Sequence, residues 1–326
     1  MKLLSTILFV FTCSLLYSQF EEAPDTSKYA SYRLSIRIAN NRIIADSNNA
    51  EAYIQRGYYR NLLRDFDGAL RDIDKYLSLK PAEASVYKSR AKVNYEKGDL
   101  QQAISDINKA IELKPDFYEA INDRSTLYYK TGNYEACKSD LLVLLKHNPD
   151  DLPQLLYLGY CETKLEHFEK AISHFRTILS KDSLYKEAWN NIGYCYFRMG
   201  DNTKALEAIN RAIQIDPRYP EAYEKRAQVK IAESDGTGAL EDLTQALSLN
   251  PFLTTSLNNR TLVYIAAKRY NEALGDMNLL LQLVYPTPEL LRIRAGIYKE
   301  LGETKLMEED LMFAEEIENG QLKIEK

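Results

Sequence analysis

The sequence is short of the residues that build loops and of those that build reaction centres. Its 326 residues include only 13 Gly and 10 Pro, too few for a loop-rich or collagen-like design, so helix should dominate. Histidine occurs three times, at His147, His167 and His174. His167 and His174 lie seven residues apart with no Cys or carboxylate at zinc-ligand spacing beside them, which argues for surface or groove histidines rather than a metal site. Gly-rich phosphate loops, G-x-S-x-G elbows and H-E-x-x-H helices are also missing. These absences leave no catalytic residue, cofactor or metal to expect.

Long apolar runs are missing too, except in the first 18 residues, MKLLSTILFVFTCSLLYS. One positive charge at Lys2, an apolar stretch from Leu3 to Leu16 and a small Ser18 read as a secretory signal peptide cleaved around Ser18–Gln19. About 14 helical residues rise only about 21 Å, short of the roughly 30 Å hydrocarbon core, so a retained anchor is the weaker reading. Acylation of Cys13 fits poorly, because Val10-Phe11-Thr12 precede it and the apolar run continues beyond it. Without Lys2, 41 Lys and Arg stand against 47 Asp and Glu, a formal charge of −6. An acidic balance with no clustered Lys/Arg stripe offers no footprint for phosphate backbones, so nucleic acid is not an expected partner. The expectation is a chain exported to the periplasm or cell envelope, with no transmembrane segment after cleavage.

What the sequence does hold is a period of 34 residues. Pro81, Pro115, Pro149, Pro217 and Pro251 fall at multiples of 34. Ala69, Ala103, Ala171, Ala205, Ala239 and Ala273 share a second phase, with Cys137 in the missing slot, and Tyr53, Tyr87, Ile121, Leu155, Trp189, Tyr223, Leu257 and Leu291 share a third. Within 186–219, apolar Trp189, Ile192, Tyr196 and Met199 recur at three- and four-residue steps. After Gly200-Asp201, Ala205, Leu206, Ile209, Ala212 and Ile213 keep the same rhythm. That is two amphipathic helices. Small Gly193 and Ala205 let the two backbones approach, and Pro217 ends the second helix. Each such unit leaves an apolar face bare, so neighbours must stack to bury it.

In this pattern the chain resembles the tetratricopeptide-repeat family. Eight units follow, at 50–83, 84–117, 118–151, 152–185, 186–219, 220–253, 254–287 and 288–321, and the resemblance implies an all-α, right-handed superhelical solenoid of eight helix pairs. Residues 19–49 form an N-terminal segment: 19–29 are expected to lack order, and Tyr32 to Asp46, with Ile36, Ala39, Ile43 and Ile44 at helical spacing, a capping helix. The eighth unit has Met307 in place of Ala and a charged end, Glu315-Glu316-Ile317-Glu318, which reads as a solvated cap before the tail at 322–326. Two Gly in Ser234-Asp235-Gly236-Thr237-Gly238 should loosen the helix start of unit six. Cys161 and Cys195 occupy equivalent places in successive units, too far apart for a disulfide. Buried thiols acting as small hydrophobes are expected, with a Cys137–Cys161 pairing the alternative left open.

The resemblance also implies where a ligand would lie, on the concave wall built by the first helix of each pair. Carried onto this chain, the family's ligand-facing places give Tyr58 and Asn61; Lys88, Lys92 and Tyr95; Asn122, Tyr129 and Lys130; Tyr160 and Lys164; and Asn190, Tyr194, Phe197 and Arg198. Recurrent aromatics and Asn suit an extended peptide, although Tyr at these places could equally pack against neighbouring helices. A carboxylate clamp of the kind some members carry is not expected, since Ile54 and Asp123 stand where it wants Asn or Lys. The implied function is a non-catalytic scaffold or adaptor holding a protein or peptide in its groove. The alternative is a structural component that assembles through its convex face or by self-association.

Overall fold

The computed structural model describes residues 26–320, which contain seventeen α-helices and no strand. After α1 (Thr26–Ala45) the helices come in pairs: α2 (Ala50–Leu62) with α3 (Phe66–Leu79), α4 (Ala84–Lys97) with α5 (Leu100–Leu113), and α6 (Tyr118–Lys130) with α7 (Tyr134–His147). The series continues through α8 (Leu152–Lys164) and α9 (Phe168–Lys181), α10 (Lys186–Arg198) and α11 (Asn202–Ile215), and α12 (Pro220–Ala232) and α13 (Gly236–Leu249). It ends with α14 (Thr254–Ala266) and α15 (Tyr270–Leu283), then α16 (Pro288–Leu301) and α17 (Thr304–Glu318). Residues through Asp140 form one compact unit and residues from Leu141 form another.

The reasons for this punctuation are local. Helix α11 starts where the Asp201 carboxylate accepts from the Lys204 N–H, satisfying an orphan donor of the first turn. It buries Ala205, Ile209 and Ala212 completely on one face. It stops at Asp216, whose extended backbone (φ −135°, ψ 97°) is what a residue before proline prefers. Asp182 adopts the same conformation (φ −135°, ψ 96°) although Ser183 follows it. Proline therefore favours this exit but is not required for it. Inside each pair the turn places one residue in the left-handed region: Gly98, Gly132, Gly200 and Gly302 in four repeats, and Arg64, Glu166, Ser234 and Lys268 in the others.

A ladder of ion pairs joins the helices of six repeats. Arg56 Nε and Nη2 donate to both oxygens of Asp72, at 2.8 and 2.5 Å. The same fork recurs, sixteen residues apart, at Arg90–Asp106, Arg124–Asp140, Arg226–Asp242, Arg260–Asp276 and Arg294–Asp310. The carboxylates are buried, Asp72 and Asp106 to 2% exposure. The third guanidinium nitrogen reaches back to the preceding helix, to Asn40, Asp74, Asn108, Asn210, Thr244 and Asn278 in turn. Each arginine thus spans two repeats with the planar donor geometry lysine lacks. Hydrogen bonding to Asp72 outweighs burial and raises the Arg56 pKa further above its ordinary value.

In the first unit the core gathers Ala69, Ile73, Tyr76, Val86 and Val93, followed by Ala91, Ala103, Ile107, Ala110 and Leu127. In the second, Phe175 is fully buried among Leu155, Ile172, Ile178, Ile192 and Cys195, and a side chain of that size contributes about 1.5–3 kcal/mol by leaving water. Gly159 makes room for it: a Cβ there would collide with the Phe175 ring. Gly193 does the same for α11, since a Cβ would sit 2.5 Å from Ile209 Cγ1 and 2.9 Å from the Ala205 carbonyl oxygen. The close approach read from Gly193 and Ala205 is therefore real.

Three expectations need correction. Residues 26–29, expected to lack order, are helical, because α1 begins at Thr26; 19–25 lie outside the described residues, as do the signal segment and the tail 322–326. Ile44 does not join Ile36, Ala39 and Ile43 on the packed face; it is 83% exposed. The Gly-rich start of α13 is not loosened, for Asp235 caps it by accepting from Gly238 N–H at 2.9 Å. Gln102 and Lys204 take the same place under the Asp99 and Asp201 caps, so the cap and not the glycine fixes this helix start. Cys137, Cys161 and Cys195 are all buried. Burial pushes the Cys195 thiol up to about 11, so it stays protonated at neutral pH and packs as a small hydrophobe.

Candidate partner-binding groove

In the first unit, α4 and α6 flank a cleft of about 660 Å³. Its floor is apolar, from Ala91, Ile107 and Leu127, and its walls carry Lys88, Lys92, Tyr95 and the hydroxyls of Ser85, Ser89 and Thr126. Three of the residues carried over from the family pattern therefore share one cavity. Their charges are partly answered within it: Lys88 Nζ lies 3.3 Å from Asp123 and Lys92 Nζ 3.9 Å from Glu96. At 73% side-chain exposure Lys92 keeps its charge in water, where such a pair is worth little. The ammonium of Lys130 sits 5.4 Å from the centre of the Tyr95 ring, a cation–π contact that steadies the ring face.

The remaining candidates of this unit stand outside that lining. Tyr58 is 61% exposed, edge-on to Tyr59 at 5.3 Å. Asn61 donates to Glu96 at 2.8 Å, while its own side-chain oxygen is buried without a hydrogen-bond partner. Asn122 is exposed. Tyr129 is half-buried and packs edge-on against Tyr134 at 5.5 Å.

In the second unit the carried-over residues are engaged with their own neighbours. Tyr160 packs against Tyr157 and Phe175, with ring centres 5.8 and 6.1 Å away. Asn190 is 4% exposed; its amide donates to the Tyr219 hydroxyl at 3.4 Å, and its oxygen has no partner. Arg198 donates to the Tyr194 hydroxyl at 3.1 Å and to Glu166 at 2.7 Å. The Lys225 ammonium covers the Tyr194 ring at 4.5 Å, and Phe197 packs into the core beside Ala205 and Val229. Lys164 is exposed. Here the aromatic places serve packing first.

His167 Nδ1 lies 2.7 Å from Glu162 Oε2, and burial lowers the pKa of His174. Among the described residues no three His, Cys, Asp or Glu side chains are grouped to hold a metal ion. No described helix is long and apolar enough to cross a membrane. The conspicuous feature that the sequence reading passed over is the Arg–Asp ladder. Its signal was available, since the six arginines fall at multiples of 34 just as the prolines do.

Tetratricopeptide-repeat sequence profiles match residues 63–116 and 187–219. The chain is a tetratricopeptide-repeat protein. Solved structures share the fold. A tetratricopeptide repeat protein from Parabacteroides merdae superposes with a TM-score of 0.65 at 19% identity, covering 79% of this chain and 98% of its own. The C-terminal part of a repeat protein from Cytophaga hutchinsonii gives 0.56 at 17% identity, covering 71% and 95%. YrrB, described as a TPR protein with an unusual peptide-binding site, gives 0.50 at 22% identity, covering 56% and 95%. No curated protein sequence matches the chain. As a tetratricopeptide-repeat protein it is a protein–protein interaction scaffold.

Proposed function

We propose that this tetratricopeptide-repeat protein is a non-catalytic adaptor of the periplasm or cell envelope that holds an extended segment of a partner protein against α4 and α6. The observation that carries the reading is the cleft itself. An apolar floor edged by Tyr95, two lysines and three hydroxyls offers contact area, charge and main-chain hydrogen bonding together, which is what a peptide groove needs. The described peptide-binding site of YrrB, on the same fold, is in keeping with it. Export rests on the segment MKLLSTILFVFTCSLLYS.

Affinity capture from envelope extracts with the wild type beside Tyr95→Ala/Lys92→Ala tests the groove. The expected result is loss of one specific protein from the variant sample, followed by direct binding of a peptide from that protein. Identical captures would defeat the groove reading. Cell fractionation, with the mature N-terminus sequenced, tests export: an uncleaved chain in the cytosol would remove the envelope from the proposal.

A further inference from the structure

The helices at the two ends of the described chain carry opposite charge beside uncovered apolar side chains. Helix α1 holds Lys28, Arg33, Arg37 and Arg42 and no acidic residue. Arg42 donates to Gln55 and Lys28 lies over the Tyr32 ring, but none of the four makes an ion pair among the described residues. On the same helix Leu34, Ile38 and Ile44 are 47%, 43% and 83% exposed. Helix α17 sets six acidic residues against one Lys305. Asp310 and Glu318 pair with Arg294 and Arg292, and Glu309 with Lys305. Glu308, Glu315 and Glu316 make no ion pair among the described residues, and Leu311 and Met312 beside them are 38% and 58% exposed.

The repeat register says which helix is not described at each end. Asn40 of α1 accepts from Arg56 as Asp74 of α3 accepts from Arg90. Helix α1 therefore stands in the place of the second helix of a pair whose first helix is missing among the described residues. Helix α17 is likewise a second helix with no pair described after it. Among the described residues each end presents a helix face that elsewhere in the solenoid is covered by another helix, and the two faces differ in sign.

We propose that a second copy of this chain is the occupant, with α17 of one copy docking against α1 of the next in head-to-tail self-association. The inference is independent of the groove reading and engages none of the α4 or α6 residues. Leu34, Ile38 and Ile44 supply the apolar burial together with Leu311 and Met312. Arg33 and Arg37 facing Glu308 and Glu315 set direction, because head-to-head and tail-to-tail encounters bring like charges together. Such a contact is heterologous: it propagates into open chains or closes into a ring. The association is salt-sensitive, since exposed charges are screened as the Debye length falls from about 10 Å at 0.1 M to about 3 Å at 1 M salt.

Sedimentation of the full chain over a concentration series at low and high salt tests this, with two charge-reversal variants. All four substituted residues are on the surface, and circular dichroism confirms that each variant remains helical. The expected result is wild-type mass that rises with concentration and falls with salt, and Arg33→Glu/Arg37→Glu and Glu308→Lys/Glu315→Lys each monomeric alone. An equimolar mixture of the two associates again, because opposite ends then face each other. A wild type monomeric throughout overturns the proposal, as does self-association that both variants retain. It is also overturned if the chain stays monomeric and binds phosphatidylserine vesicles in a way that only the arginine reversal abolishes, which would make a membrane surface the occupant of α1.

Discussion

Repeats four and five join their two helices differently from the other six. In repeats one to three and six to eight a buried aspartate on the second helix takes a forked hydrogen bond from an arginine on the first. At the same two places repeat four has Leu158 and His174, and repeat five Ile192 and Ala208. There the helices meet through an apolar cluster around Phe175, Ile178, Ile192 and Cys195. A cleft of about 490 Å³, lined by Trp189, Ile192, Tyr196 and Ala208, opens beside it. The same backbone pairing is thus held by two chemistries. The ionic one adds a cross-link to the preceding repeat through the third guanidinium nitrogen; the apolar one has closer packing and no such link.

The largest expected effect comes from breaking one rung by halves. Arg260→Ile leaves Asp276, 8% exposed, as an unpaired buried charge and costs about 3–5 kcal/mol. Arg260→Ile/Asp276→Ala copies the arrangement of repeat five and costs far less, because replacing a buried pair by apolar residues is often near neutral. Urea unfolding followed by circular dichroism separates the two. Equal losses from the single and double variants would show that the rung acts through something other than charge pairing.

Packing distance sharpens the comparison next. Gly57 and Gly193 occupy the same place in a ladder repeat and in an apolar one. At Gly57 a Cβ would meet the Ala69 carbonyl oxygen at 3.2 Å; at Gly193 it would meet Ile209 at 2.5 Å. Gly193→Ala therefore overpacks the interface and costs about 1–3 kcal/mol. Gly57→Ala is close to neutral, its tight contact offset by the roughly 0.5–1 kcal/mol that alanine gains over glycine in a helix. Thermal unfolding of both variants reads the difference, and equal shifts would mean that the apolar repeat is no more tightly packed than the ladder repeat.

Repeats four and five also differ from each other at the turn, where the left-handed residue is Glu166 in one and Gly200 in the other, with φ of 61° and 84°. A side chain in that region costs about 1–2 kcal/mol, so Glu166→Gly stabilises repeat four by about 1 kcal/mol. The exposed ion pair it loses with Arg198 subtracts only a few tenths. Amide hydrogen exchange in α8 and α9 registers the gain as slower exchange.

The helical architecture was legible because its signals are local and recur: proline after five of the eight second helices, small residues where helices touch, an apolar face on each. The ladder was written with the same period but passed over, because arginine and aspartate read as solvated surface until the fold brings positions sixteen apart together and buries the acid. The groove was less legible still. Tyr95 and Tyr160 lie on equivalent helices and carry the same pattern, yet one lines a cleft and the other packs on Phe175. They stand three residues apart in the repeat, Tyr160 at the place of Lys92 and Tyr95 at that of Thr163, so the same aromatic signal reaches different neighbours. Ile44 failed for a similar reason: helical spacing placed it near the packed face, but which neighbour is there to cover it is a tertiary fact.

The smallest effect distinguishes repeat four from the ladder repeats by pH. His174 stands where they have aspartate, and burial lowers its pKa from the ordinary value near 6.5, opposed in part by Glu162. The unfolded chain then binds a proton at higher pH than the folded chain does. Stability is fully present above about pH 6.5, declines as pH falls from there toward the folded-state value, and levels off below it. His174→Gln removes this contribution, so the variant's unfolding midpoint in urea changes less between pH 7 and 5 than the wild type's. An unchanged slope in His174→Gln would place the acid sensitivity of the apolar repeats at another group.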